Sequence, residues 1–169
     1  MKNLLLSLTL LLSTMSFSFA QRAAYVDMTK IMDAVPEYKT AQAELDQLAE
    51  RWRQEIAKEY EQIEQLYREY QAREVLMSEE MKTQKQNEII EKEKAVRALQ
   101  DQRFGPEGEL FSKRQSLVKP IQEKVYKTIE QLAKERNYDF IFTAPDGSQM
   151  IYAKADKDLT AEVVKRLGK

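Results

Sequence analysis

The chain has 169 residues, 27 basic and 28 acidic, with a formal net charge of −1 and neither cysteine nor histidine. Without cysteine there is no disulfide, no thiolate nucleophile and no Cys/His zinc site; without histidine the commonest general base and metal ligand is missing. The length suits one domain with a modest core, so stability is expected from packing and from oligomerisation.

Met1–Ala20 reads as a cleaved secretory signal. Lys2 supplies the positive start, Leu4, Leu5, Leu6, Leu8, Leu10, Leu11 and Leu12 the apolar run, and Ser18-Phe19-Ala20 the small residues at the cleavage site. The run is shorter than the roughly 20 residues a membrane span needs. No cysteine follows it, which excludes a lipoprotein. The mature chain, residues 21–169, is expected to be a single exported domain.

Ala23–Val26 is strand-like. Asp27 is placed to cap a short helix over Met28–Val35. Pro36 and Glu37 then open a long helix, proline suiting the first turn. From Glu37 to Phe104 there are 68 residues without glycine or proline. As one straight helix they would span roughly 100 Å, so the chain must turn back on itself. Leu45, Leu48, Trp52, Ile56, Tyr60, Ile63, Tyr67 and Tyr70 step by three or four and predict one apolar stripe. The other faces carry Glu, Lys, Arg and Gln, good helix formers.

The tip of the resulting hairpin is expected near Met77–Met81, with Ser78 capping the second helix and Glu79 and Glu80 in its first turn. The return leg offers only Met81, Ile89, Val96, Leu99 and Phe104. So sparse a seam predicts a flexible arm. Gly105-Pro106-Glu107-Gly108 breaks the helix. It resumes with Leu110, Phe111, Leu117, Val118, Ile121, Val125, Ile129 and Leu132, and Pro120 is expected to kink it.

Tyr138–Thr143 is β-prone, Ala144-Pro145-Asp146-Gly147-Ser148 reads as a turn, and Met150–Ala153 is expected to pair back as a hairpin. A last amphipathic helix, Ala161–Leu167, closes at Gly168. Three short strands make a poor sheet with adhesive edges. Joining the strands of several chains removes those edges. Tyr25, Val26, Phe140, Ile141, Phe142, Ile151 and Tyr152 are therefore expected in a core shared between chains. The fold class is α+β, mainly α: a long antiparallel helical hairpin arm, residues 37–104, on a small β base formed by residues 21–36 and 105–169.

Several blocks resemble the Skp/OmpH family of periplasmic chaperones for outer-membrane proteins. They are Ala24-Tyr25-Val26-Asp27-Met28 with Ile31-Met32, then Tyr138–Phe142, then Ile151-Tyr152-Ala153, and most specifically Lys157-Asp158-Leu159-Thr160-Ala161-Glu162-Val163-Val164-Lys165. The resemblance implies a jellyfish-like homotrimer. Strands of three chains form a barrel, and three helical arms enclose unfolded β-barrel clients without ATP. One departure stands out. Family members of the better-known kind are strongly basic, whereas this chain has a pI of about 5.8, and Glu37–Met77 holds 10 acidic against 6 basic residues. This argues against lipid or lipopolysaccharide contact of the basic kind.

The reading that follows is an ATP-independent periplasmic holdase for unfolded outer-membrane proteins, with no catalytic residue, cofactor or metal. Tyr60, Tyr67, Tyr70, Met77 and Met81 are the candidate client-binding residues, since tyrosine is amphipathic and methionine adapts to irregular partners. The plainer reading is that they close the hairpin. The rival class is a structural coiled-coil spacer or adaptor of the envelope, which would need a long unbroken seam. Nucleic-acid binding rests only on Lys82/Lys85 and Lys92/Lys94, where Glu91 and Glu93 interleave, and is not expected. No phosphate loop, nucleophile elbow or metal-ligand cluster points to an enzyme.

Overall fold

The computed structural model describes residues 21–144 and 152–168. The signal-like residues 1–20, residues 145–151, which hold most of the expected turn and the Met150-Ile151 half of the expected return strand, and Lys169 lie outside the described residues.

The elements run β1 (Ala23–Val26), α1 (Met28–Ala34), α2 (Pro36–Arg73), a 3-10 turn (Glu74–Leu76), α3 (Glu79–Phe104), α4 (Glu109–Arg136), β2 (Phe140–Thr143), a 3-10 turn (Ala155–Lys157) and α5 (Thr160–Leu167). The local signals act as their chemistry requires. Asp27 accepts from the Lys30 backbone N–H at 3.0 Å and caps α1. Pro36 opens α2. Ser78 Oγ accepts from the Met81 N–H at 3.3 Å and caps α3. α4 runs through Pro120 and ends at Asn137, whose φ of 54° is the left-handed conformation that asparagine tolerates.

α2 is 38 residues long, about 57 Å at about 1.5 Å per residue. α3 returns along its outer half. α4 continues the return along its inner half, where Lys113 meets Glu44 at 2.8 Å and Lys124 meets Glu37 at 3.0 Å. The return leg therefore consists of two helices joined at Gly105–Gly108. The tip falls at Glu74–Ser78, a few residues before the expected Met77–Met81.

The seam of the hairpin differs in detail from the predicted stripe. On α2 one run of covered residues alternates by four and three: Leu45, Ala49, Trp52, Ile56, Glu59, Ile63, Leu66 and Tyr70, with Leu48 of the predicted stripe half-buried beside it. On α3 the same alternation gives Lys82, Lys85, Ile89, Lys92, Val96, Leu99 and Arg103. This is the heptad rhythm of two helices packed side by side. Tyr60 and Tyr67 fall off it and are exposed. Small Ala49 and charged Glu59 hold seam positions instead, which a reading by apolarity passes over. Four of these seven α3 residues are basic, so the apolar contact is intermittent. Ile56, Ile63, Tyr70, Ile89 and Val96 form its buried cluster, with Leu66, Met77, Leu99 and Phe104 packed against it.

The base has a second cluster. Ala24 and Val26 of β1, Ile31 and Met32 of α1, Val35, Val125 and Leu132 of α4, Leu159, and Val163 of α5 are buried together. β1 pairs in parallel with β2, Ala23 opposite Phe140 and Val26 opposite Thr143. The expected return strand is not formed by Tyr152 and Ala153, which lie in no strand. After them the chain runs along the other edge of β1 instead. The Leu159 N–H donates to Tyr25 O at 2.9 Å, beside a bridge between Tyr25 and Asp158. Asp27 N–H donates to Thr160 Oγ1 at 2.8 Å and ties α5 to the start of α1.

Candidate functional site

Two surfaces carry apolar side chains that the single chain leaves uncovered. One is the outer face of the base. Phe140 and Phe142, two residues apart on β2, share one face of the strand. They are 48% and 52% exposed, with ring centroids 6.2 Å apart. Tyr152 is 80% exposed. Tyr25 and Ile141 are half-buried, and Ile141 packs on the base core. Val26 is fully buried within its own chain, which places it beneath the uncovered face rather than on it. The parallel β1–β2 pair turns Val26 inward, against the helices of the base.

The second surface is the arm. Tyr60, Tyr67 and Met81 are exposed. Tyr70 is buried in the seam, where its hydroxyl donates to Glu74 Oε1 at 3.1 Å and accepts from Gln86 Nε2 at 2.8 Å. Desolvation first, and then the Glu74 carboxylate, push this phenol above its ordinary pKa. Met77 is half-buried against the same cluster. Tyr70 and Met77 thus close the hairpin, and Tyr60, Tyr67 and Met81 face outward. The sequence reading missed the most exposed pair. Val75 and Leu76, at 93% and 88%, stand on the 3-10 turn at the tip. The Val75-Leu76-Met77 cluster was visible in the sequence, but nothing in it distinguished the outward residues from Met77.

Charge surrounds these residues. Arg68–Glu64, Lys82–Glu79, Lys85–Glu88, Lys94–Glu91 and Arg97–Glu93 pair along single helices at 2.7–3.4 Å. Such exposed pairs add little stability, but they keep the arm's faces hydrated. Among the described residues, no group of three or more Asp or Glu is placed to hold a metal ion. No described helix is long and apolar enough to cross a membrane.

The fold and these surfaces define an arm-and-base α+β protein with uncovered apolar residues on the base, along the arm and at its tip. The chain belongs to the OmpH-like family of outer membrane proteins, whose model matches residues 22–167. The fold is similar to the crystal structure of an OmpH-like candidate outer membrane chaperone from Caulobacter crescentus CB15. The TM-score is 0.71 at 14% identity, over 88% of this chain and 84% of that one. No curated protein matches the chain.

Proposed function

We propose that the chain is an ATP-independent periplasmic holdase that keeps unfolded outer-membrane β-barrel proteins from aggregating. In this reading it is exported by the cleaved signal Met1–Ala20 and assembles as a homotrimer through the base. The observation that carries the reading is the arm. Its seam closes without Tyr60, Tyr67, Val75, Leu76 and Met81, which remain exposed among charged, hydrated faces. Such residues form no tight pocket. They offer many weak contacts to a partner of no fixed shape, and several arms on one base raise the effective concentration of each for the others. Membership of the OmpH-like family supports the chaperone role.

The envelope spacer is the weaker reading. A heptad seam exists, but the chain fills it with its own return leg, so it offers no seam to a partner helix.

The test is light scattering of a urea-diluted outer-membrane barrel protein with a stoichiometric amount of mature chaperone, without nucleotide or metal, alongside the native mass of each species. Suppressed aggregation and a soluble complex are expected. Unchanged aggregation rejects the holdase reading.

A further inference from the structure

At Gly105–Gly108 the arm is bridged by only one continuous helix. α2 passes this level unbroken at Leu48–Trp52, while the return leg is interrupted between α3 and α4. Two helices packed along their length resist bending together; where one loses its hydrogen-bond ladder, the other bends alone. The turn is sterically committed. A Cβ on Gly108 would stand 2.9 Å from Gln102 O and 2.9 Å from the Gly105 nitrogen.

One side chain braces this weak point. The Arg103 guanidinium lies over the Trp52 ring, 4.7 Å from its centroid. It reaches Glu55 on α2 at 3.7 Å and bonds Glu109 on α4. Phe104 meets Trp52 edge-on at 6.0 Å, and Gln102 Nε2 donates to Glu109 at 2.7 Å. Arg103 thus ties three helices across the break. The brace is incomplete, since Arg103 Nε is buried without an acceptor, and a buried donor left unpaired costs free energy. An open groove of about 1060 Å³, lined in part by Leu48, Trp52, Pro106 and Ser112, runs beside the turn and leaves room for the helices to move.

We propose that Gly105–Gly108 is a latched hinge: Arg103, held by Trp52, Glu55 and Glu109, keeps the arm straight, and release of Arg103 lets the outer arm bend at this level. The device sets the posture of the arms in the absence of any client, so it stands or falls apart from the holdase reading.

The chain has no cysteine, so Glu80→Cys at the start of α3 and Lys127→Cys on α4 give a specific spin-labelled pair across the hinge. Labelled chains are diluted into excess unlabelled protein, so that only distances within one chain are read. A single narrow distribution is expected for the otherwise native chain. In the Arg103→Ala background the distribution broadens and gains a shorter population. Arg103→Lys keeps the charge but loses the planar stack and the forked contact; it shifts the distribution the same way and decides the matter if Arg103→Ala does not fold. Arg68→Ala, which removes an exposed ion pair of the same arm, leaves it unchanged. A folded Arg103→Lys chain with the native distribution overturns the hinge, as does equal broadening in Arg68→Ala.

Discussion

Phe140 and Phe142 stack at an interplanar angle of 22° on the uncovered face of β2. Two exposed phenyl rings on a strand four residues long are a surface awaiting cover. A second copy of the same base is the cover the proposed assembly supplies.

Phe140→Asp should therefore dissociate the assembly while leaving the chain folded. The residue is half exposed within its own chain, so the isolated fold tolerates a carboxylate. At an interface the same carboxylate would be buried without a partner, which costs several kcal/mol. Sedimentation should show about three chains for the wild type and one for the variant, with circular dichroism unchanged. A wild type that sediments as a monomer at micromolar concentration would falsify the proposed trimer.

Leu132→Ala should act in the opposite way. Leu132 is fully buried between β1, the helices of the base and Leu159. Its truncation should cost about 2–5 kcal/mol, read as a lower urea midpoint. Tyr67→Ser on the exposed arm should leave that midpoint almost unmoved.

The tip should be the least protected part of the hairpin. Between Arg73 and Glu88 the seam offers mainly Met77, Lys82 and Lys85. Amide exchange at residues 73–88 should outpace that at 125–132 by orders of magnitude. Equal rates would show a rigid arm.

Replacing Tyr60, Tyr67, Val75, Leu76 and Met81 together by Ser should weaken aggregation suppression markedly while leaving the native mass unchanged. Replacing Tyr70 and Met77 alone should instead loosen the hairpin, seen as faster exchange at Ile63 and Ile89. If the fivefold variant suppresses aggregation as well as wild type, the binding surface lies elsewhere, and added salt should then expose a charged one.

Acid should erode the α1 cap. The Asp27 carboxylate is held below its ordinary pKa, first by the Lys30 backbone N–H and then by the Lys30 ammonium. Its folded pKa lies below its unfolded value of about 3.9, so its contribution is full above that pH and lost as pH falls through the folded value. Asp27→Asn should be less stable than wild type at pH 7, and the gap should close below about pH 4. A gap that stays constant with pH would remove the carboxylate from the cap.

Much of the layout was legible in the sequence because it rests on local chemistry. Asp27, Pro36, Ser78 and Gly105 each act through neighbours within a turn of helix. The seam was harder. Tyr60 looks more like a core residue than Glu59 does, yet position in the heptad decides burial, and Glu59 holds the covered place. Arg103 carries no local signal, since its partners Trp52 and Glu55 lie some fifty residues away. β1 joins β2 as expected, but what lies on the other edge of β1 was hidden for the same reason. A nearby Asp-Gly turn suggested a local hairpin, while the edge of β1 opposite β2 is taken by Asp158 and Leu159, which only the folded base brings beside Tyr25.

The spacing of these contacts also orders events in time. The hairpin closes through partners such as Tyr70 and Gln86, 16 residues apart, and can form as soon as both legs exist. The base needs Arg22 beside Asp139, 117 residues away, and Asp27 beside Thr160, 133 residues away. Distant pairings form slowly and late. A chain still being made thus holds its arm before it holds its base, and the Phe140–Phe142 face is set in place only once the final helix has arrived. In the proposed trimer, a truncated or stalled chain would have no finished base through which to join others, so incomplete copies would be kept out of the assembly by the order of folding alone.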